Sequence, residues 1–211
     1  MTRAELRRRV LQALNDDTTS PVFWSTAEID TLLDEGQEVL AEQTPAFTRT
    51  FTVPLRNGTA LYRLGGVGER IMTPTRLWLP GEHRRLEAVT LSDLDARHEE
   101  WLTVTGTPWC WAPVDWETFT IWPAPATGGG ILDVTCYVWP VPLQSDADRP
   151  ELPEADQEAL VLYAEADGHA KQWDVARGTD VYKAFLARAV QSRNTNVAGQ
   201  FRARHWVRGE A

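Results

Sequence analysis

The side chains that could perform acid–base chemistry in this sequence occur as near-neighbouring carboxylates. Three such pairs are present, namely Asp93 with Asp95, Glu99 with Glu100, and Asp115 with Glu117. Two carboxylates placed on either side of a glycosidic bond are the groups that glycoside cleavage requires. Because the chain contains 30 Asp and Glu residues, pairs of this kind are expected by chance. Sugar hydrolysis is therefore only a minor alternative.

Thiol and imidazole groups give no stronger indication of catalysis. Cys110 lies between Trp109 and Trp111, and apolar surroundings raise the pKa of a thiol and make it unreactive. We expect Cys110 and Cys136 to be buried free thiols. The four histidines never occur two to five residues apart, and neither His-Glu-x-x-His nor Cys-x-x-Cys is present. The sequence therefore predicts no metal and no cofactor.

The glycine-rich run at residues 65–68 is a weak candidate for phosphate binding. It lacks the final Gly-Lys-Ser/Thr of a phosphate loop, and no helical pattern follows it. We expect a hairpin turn there. Together with the absence of a Gly-x-Ser-x-Gly motif, this predicts that the protein is not an enzyme.

Charge is distributed unevenly along the chain. The net charge is −9, yet the first 15 residues and the last 24 are both basic, so the acidic excess lies between them. An acidic body argues against sequence-specific nucleic-acid binding. The basic ends could dock against acidic partner surfaces, although solvated helix faces explain them equally well. No apolar run is long enough for a membrane span, and the charged N-terminal segment is not typical of a secretory signal.

Tryptophan is unusually frequent. Ten occur in 211 residues, and six of them lie between Trp101 and Trp139. One rigid indole buries a large area, so tryptophan is common both in cores and at binding hot spots. The number in this segment exceeds what one small sheet needs to fill itself, which favours a protein that assembles with others.

Helical periodicity occurs at both ends of the chain. Thr2 with Glu5, and Ser25 with Glu28, have the spacing of capping boxes, each followed by apolar residues at helical intervals. After an acidic linker at 145–150, Pro153 is placed to start a third helix. We expect its apolar side to reach Trp173, with Gly178 ending it and Thr179 capping a fourth helix. Beyond Ser192 the apolar pattern disappears.

Between these helices the period changes from 3.6 to 2. Alternation begins at Phe47, Asn57-Gly58 is typical of a turn, and Pro74 indicates a bulged or edge strand. A hairpin is expected between residues 118–122 and 131–139. The predicted fold is α+β: a four-helix core, with two N-terminal and two C-terminal helices, and an inserted antiparallel β domain. The boundaries are 1–46 and 145–194 for the two parts of the helical bundle, 47–144 for the β domain and 195–211 for a flexible C-terminal tail.

A series of short motifs follows this element order. They are the run ending in Leu-Trp-Leu at 70–79, the run at 85–95, Trp101, Gly-Thr-Pro at 106–108, Trp-Pro-Ala-Pro at 122–125, Tyr-Val-Trp-Pro-Val-Pro-Leu at 137–143, Leu-Pro at 152–153 and Glu-Ala-Leu-Val-Leu-Tyr-Ala at 158–164. Asp30 and Leu33 precede them in the second predicted helix. The series resembles the head-to-tail adaptor, or connector, proteins of tailed bacteriophages, in particular the type with a β domain inserted in a helical bundle. The resemblance covers most of residues 5–192 by pattern and order, not by an invariant motif.

This resemblance implies a mechanical function. Such adaptors form a ring, usually of twelve copies, beneath the portal protein and present a lower surface to a tail or stopper protein. DNA passes through without specific binding. The implied location is the neck of the virion, reached by assembly in the host cytoplasm, with no membrane partner.

Two sets of residues are candidate sites under this interpretation. Six C-terminal residues are hypothesised to dock in the portal: Arg193, Phe201, Arg202, Arg204, Trp206 and Arg208. Six carboxylates are hypothesised to face the lumen and repel DNA phosphates: Asp146, Asp148, Glu151, Glu154, Asp156 and Glu158. A solvated helix N-terminus explains the acidic set equally well.

Two other functions stay open on the sequence. One is a different virion part, such as a baseplate or tail-completion protein. The other is a Trp-rich carbohydrate-binding module, because pyranose rings stack on indoles. Ring formation would favour the adaptor, and glycan binding would favour the carbohydrate-binding module.

Overall fold

Two units make up the chain, a helical unit of Met1–Phe47 with Pro140–Ala211 and a β unit of Thr48–Trp139. The computed structural model describes residues 1–65, 70–97 and 100–206, with the backbone alone for Arg97 and residues 195–206. The helices are α1 (Arg3–Ala13), α2 (Thr26–Gln43), α3 (Leu91–Arg97), α4 (Glu154–Lys171) and α5 (Val175–Trp206). The strands are β1 (Thr48–Pro54), β2 (Leu61–Arg63), β3 (Ile71–Leu79), β4 (Arg84–Arg85), β5 (Glu87–Ala88), β6 (Thr105–Gly106), β7 (Cys110–Pro113), β8 (Thr118–Trp122), β9 (Ala124–Pro125) and β10 (Ile131–Val138). The α+β prediction, with helices and an inserted β domain, is confirmed.

Both predicted capping boxes form. The Thr2 side chain accepts a hydrogen bond from the Glu5 amide, and the Glu5 carboxylate accepts one from the Thr2 amide. Ser25 and Glu28 form the same pair of hydrogen bonds at the start of α2. Each box satisfies two amides that a helix start would otherwise leave without partners. These local contacts fix where α1 and α2 begin.

The core of the helical unit forms around α4, which packs against α1, α2 and α5. Small residues allow these helices to approach closely. A Cβ added at Gly168 of α4 would lie 2.7 Å from the Leu14 side chain, and one at Gly178 of α5 would lie 2.8 Å from the Ala166 carbonyl oxygen. These two glycines therefore set the spacing of the helix pairs.

The predicted boundary between the last two helices is wrong. α4 ends at Lys171, and α5 begins at Val175, four residues before the expected cap at Thr179. The Asp174 carboxylate accepts the Arg177 amide at 3.2 Å and so caps α5. Gly178 lies inside α5, because its missing side chain is needed for close contact with α4.

The C-terminal part of α5 differs from expectation in its secondary structure. The helix continues through Trp206, although the apolar pattern ends near Ser192. Five of the fourteen residues from Arg193 to Trp206 are Arg or Ala, which have high helix propensity, so a helix does not need an apolar stripe to continue. Residues 207–211 lie outside the described part of the chain, and the flexibility of 195–211 stays a prediction.

The β unit contains two four-stranded sheets, ordered β1-β10-β3-β4 and β2-β8-β7-β5, and a β6-β9 pair. Most pairs are antiparallel, while β5–β7 and β6–β9 are parallel. Of the two alternatives predicted for Pro74, an edge strand or a bulge, the bulge is present, since the β10–β3 register shifts between Thr135 and Cys136. Pro74 lacks an amide hydrogen, and the bulge accommodates it inside the sheet.

The predicted hairpin of 118–122 with 131–139 does not form. β8 pairs with β2 and β7, whereas β10 pairs with β1 and β3 in the other sheet. All five residues of β8 are buried, while β10 alternates between more and less buried positions, so the two strands suit different layers. The proline-rich and glycine-rich link between them is long enough to change sheets, and Ala124–Pro125 within it pairs with β6.

Both cysteines are buried thiols outside any disulfide, as expected. Burial raises the pKa of the Cys136 thiol to about 12. The β unit also contains a core cluster in which Leu94, Trp101 and Trp122 are buried together.

Candidate docking surfaces

Two arginines near the N-terminus are bound within the helical unit. Arg7 donates two hydrogen bonds to the Asp30 carboxylate, both of 2.8 Å, and a third of 2.7 Å to Asp146. Arg3 donates to the Leu143 carbonyl oxygen at 2.7 Å and to Asp146 at 3.3 Å. The hydrogen bond to Asp30 raises the pKa of Arg7. Arg3 and Arg7 are therefore paired within the chain, which supports a structural role for this pair, while docking of the basic N-terminal end on a partner stays a prediction.

The acidic segment after Leu143 begins with a structured turn. The Asp148 carboxylate accepts the Gln144 and Ser145 amides, both at 2.8 Å, and the Ser145 hydroxyl at 2.5 Å. These hydrogen bonds, led by that of the Ser145 side chain, lower the pKa of Asp148. Asp146 next to it is held by Arg7, which lowers the pKa of Asp146. Two of the six hypothesised lumen residues therefore organise this turn.

The remaining four lie on or beside the first turn of α4. Glu158 accepts a hydrogen bond of 2.6 Å from Arg9 of α1. Glu151 and Glu154 are exposed and Asp156 is half-buried. Carboxylates at the start of a helix are stabilised by its dipole, so their position has a structural reason as well.

Five of the six hypothesised portal-docking residues lie on α5. Arg193 is exposed on the helix, while Phe201, Arg202, Arg204 and Trp206 lie on its described backbone with their side chains undescribed. Arg208 lies outside the described residues. Arg188 donates to the Ala155 carbonyl oxygen in the first turn of α4, so the part of α5 after it runs past the start of α4. At 1.5 Å per residue, the segment from Arg193 to Trp206 extends about 20 Å.

Most of the described tryptophans are at least partly buried. Of the nine whose side chains are described, four are buried and three are half-buried; only Trp116 and Trp173 are exposed. A glycan-binding platform needs several accessible indoles, and these two belong to different units. The burial of the others therefore disfavours a carbohydrate-binding module.

Sequence reasoning missed a group of exposed apolar side chains at one end of the helical unit. These residues, which we name the tip, are Val22, Phe23, Trp173 and Val175, with 90, 56, 91 and 61% of their surface exposed. The first two lie between α1 and α2, and the last two lie at the α4–α5 connection. Trp173 was expected on the apolar side of a helix, but α4 has already ended, and its backbone is left-handed with φ of 65°.

Hydrogen bonds hold the α1–α2 loop in shape. The Asp16 carboxylate accepts the amides of Val22, Phe23 and Trp24 at 3.1, 3.1 and 3.0 Å. These backbone hydrogen bonds, led by that of Val22, lower the pKa of Asp16. The Asp17 carboxylate accepts the Thr19 amide at 2.7 Å. Proline, aspartate and threonine in this segment are a sequence signal for a structured loop.

Lys171 joins the two connections of the tip. Its ammonium forms an ion pair with Glu28 and lies 4.4 Å from the centre of the Trp24 ring. The hydrogen bond from Lys171, followed by that from the Ser25 amide, lowers the pKa of Glu28 to about 2. An open groove of about 340 Å³ lies beside this contact, with Thr31 and Asp167 in its wall.

Members of two of the three candidate carboxylate pairs have structural partners. Asp95 accepts the Trp101 indole N–H at 2.8 Å, and Asp115 accepts the Thr118 amide at 2.7 Å in the β7–β8 turn. Asp93 accepts the Thr90 amide at the start of α3. Glu99 lies outside the described residues, as does most of the 65–68 run. In the parts of the chain that the structure describes, no three potential metal ligands cluster.

None of the helices in the described ranges has the length and apolar character that crossing a membrane requires.

Comparison with known proteins identifies the family. No curated protein matches the chain. The family model described as SU10 adaptor protein matches residues 1–206, which include both halves of the helical unit and the whole β unit. The resemblance seen in the order of the sequence motifs is confirmed by this match. The chain belongs to the SU10 adaptor protein family of bacteriophage head-to-tail adaptors, structural components of the virion neck.

Proposed function

We propose that this protein forms a ring beneath the phage portal and links the portal to the tail. The observation that carries the proposal is the adaptor family match over residues 1–206. The ring is expected to contain twelve copies, as the resemblance implies. The protein has no catalytic role in this proposal and acts by holding two larger assemblies together, in the neck of a virion assembled in the host cytoplasm.

The C-terminal part of α5 supplies the portal contact. It extends past α4 and carries Arg193, Arg202 and Arg204, with Phe201 and Trp206 among them, and Arg208 follows in the sequence. A basic segment with two aromatic residues suits an acidic groove with an apolar floor. Arg193, Arg202, Arg204 and Arg208 are the charged contacts, and Phe201 and Trp206 are the apolar anchors.

The acidic residues near the start of α4 face the lumen in this proposal. Asp146, Asp148 and Glu158 fix the surface by their internal contacts, while Glu151, Glu154 and Asp156 add to its negative charge. Negative charge around a channel repels DNA phosphates and lets the genome pass without binding.

Native mass spectrometry of the purified chain mixed with portal rings from the same phage tests the proposal. A ring of adaptor copies on the portal is expected, and its mass gives the number of copies. Truncation after Ser192 should abolish the complex, while circular dichroism shows the remaining chain folded. A charge-reversal variant of Arg202, Arg204 and Arg208 should also lose binding.

Arg8→Glu is the matched control, since Arg8 is an exposed arginine on α1, outside the C-terminal segment. It should bind the portal as the unmodified chain does. Failure of the intact, folded chain to bind portal rings would refute the adaptor proposal, and full binding by the truncated chain would refute the role of the C-terminal segment.

A further inference from the structure

The end of α4 requires a left-handed residue at position 173, where the Trp173 amide donates to the Ala170 carbonyl oxygen and the Asp174 amide donates to that of His169, but it does not require a tryptophan. The residue follows the end of α4 in the left-handed region, with φ of 65°, where glycine or asparagine is ordinarily found. A bulky side chain destabilises this conformation because its Cβ crowds the carbonyl group. Burial does not compensate, because 91% of the residue is exposed. A tryptophan here makes the isolated chain less stable than a glycine would.

The other half of the tip is rigid as well as apolar. Val22 and Phe23 are exposed on a loop whose amides are held by Asp16. The Lys171 ammonium lies 5.9 Å from the centre of the Phe23 ring and binds Glu28 at the start of α2. Because hydrogen bonds already hold the backbone of this loop, little conformational freedom is lost when its side chains bind a partner. The loop therefore suits a binding surface.

Charge around the tip is mainly negative. Asp16 and Asp17 lie in the α1–α2 loop, Asp167 lies in the last turns of α4, and Asp174 caps α5. Backbone hydrogen bonds lower the pKa of Asp16, and hydrogen bonds from Thr19 lower that of Asp17, so both are charged at neutral pH. An apolar surface with an acidic rim disfavours DNA and anionic lipid. It matches a protein surface with an apolar pocket surrounded by Lys and Arg.

The direction of α5 relates the tip to the proposed portal contact. α5 begins at the tip with Val175 and ends with the basic segment after Arg193. The two surfaces therefore lie at opposite ends of a 32-residue helix, about 48 Å long, and cannot bind the same site on one partner.

We infer that the tip docks into an apolar, basic-rimmed pocket of the tail protein that follows the adaptor, with the Trp173 indole as its anchor. The choice of the tail protein as partner rests on the proposed function, because the other end of α5 is assigned there to the portal. The inference explains why an exposed tryptophan occupies a position at which glycine would be more stable.

Two substitutions at one position separate binding from stability. Trp173→Gly removes the indole and relieves the backbone, so its melting temperature should rise by about 3 °C. Its affinity for the tail protein should fall about thirtyfold, as expected for loss of a hot-spot residue. Trp173→Phe keeps an aromatic ring and the strained backbone, and should leave the melting temperature unchanged and the affinity within about fivefold. Asp167→Lys should slow association and weaken its dependence on salt.

The assay uses the full chain in two steps. Portal complexes of each variant are first counted by native mass spectrometry, and binding of the purified tail protein to those complexes is then measured by biolayer interferometry. Trp173→Gly should form the portal complex normally and bind the tail protein about thirtyfold more weakly in the second step. Tail-protein affinity within about threefold of the unmodified chain would overturn the inference. A loss confined to the first step would also overturn it, because the tip would then be a portal or subunit contact.

The two proposals can fail independently. If the unmodified chain does not bind the portal, the adaptor proposal fails, and the free chain is tested directly against the tail protein. Binding that Trp173→Gly removes would still support the docking surface. Absence of binding by the free unmodified chain in that case would overturn it.

Discussion

At the residue scale, the helical unit depends on a few charged side chains with several partners each. Arg7 bonds to Asp30 and Asp146 and thereby joins α1 to α2 and to the segment that returns from the β unit. Asp34 of α2 accepts the Leu143 amide at 3.0 Å and holds the same segment. These contacts fix the start of the acidic turn, so the proposed lumen residues depend on them for position.

Arg7→Ala should lower the free energy of unfolding by about 2 kcal/mol, because Asp30 would lose its paired hydrogen bonds in a largely buried place. Urea denaturation followed by circular dichroism measures the change. The exposed Arg8→Ala is the control, and it should change stability by less than about 0.5 kcal/mol. Equal effects of the two substitutions would contradict the network described above.

At the element scale, the short connection between α4 and α5 has the largest consequences. It determines where α5 begins, places Trp173 outside the helices and allows Gly178 to lie against α4. A one-turn difference in the start of α5 would give its residues different neighbours along α4. The position of the cap is therefore the feature of this connection to test.

Asp174→Ala should destabilise the protein by about 1 kcal/mol, since the Arg177 amide would lose its acceptor at the start of α5. Thr179→Ala should have a much smaller effect, because the Thr179 hydroxyl donates to the Val175 carbonyl oxygen inside the helix. Thermal unfolding of the two variants distinguishes them. A larger loss in Thr179→Ala would restore the boundary expected from the sequence.

At the scale of the whole molecule, carboxylates with lowered pKa occur in both units. They include Asp16, Glu28, Asp146 and Asp148 in the helical unit and Asp115 in the β unit. A carboxylate whose pKa is lower in the folded chain stabilises that state above its unfolded pKa near 4. The contribution disappears as pH falls through the folded value.

The melting temperature should therefore fall as pH decreases from about 5 to about 2. Lys171→Met should show a smaller fall, because the pKa of Glu28, lowered to about 2, is then closer to its unfolded value. Asp34 has the opposite effect on stability, since burial raises its pKa. It is a single carboxylate, whereas several carboxylates have lowered pKa values. Circular dichroism melts at pH 7, 5, 3 and 2 measure the effect. A melting temperature that rises on acidification would contradict this assignment.

The sequence alone determined the features that depend on nearby residues. The capping boxes at Thr2 and Ser25 and the burial of the cysteines each follow from a few neighbouring side chains and were predicted correctly, and the bulge at Pro74 was one of the two alternatives predicted there. The order of elements also sufficed for the fold class and the resemblance to adaptors. These properties need no knowledge of which distant segments meet.

Only the tertiary structure decided the features that depend on distant partners. Alternation in β8 and β10 shows that both are strands, but pairing across two sheets is fixed by long-range packing that a period-2 pattern does not encode. Glycine is common at helix ends, so Gly178 was predicted to end a helix. In the structure it lies inside α5, where the missing side chain allows close contact with the Ala166 carbonyl group of α4. Trp173 was predicted to lie on the apolar side of a helix because it is a large apolar residue. In the structure α4 ends two residues earlier, and Trp173 is exposed to solvent. The tip is absent from the sequence pattern because Val22, Phe23 and Trp173 are brought to one end of the helical unit only when α1, α2, α4 and α5 pack together.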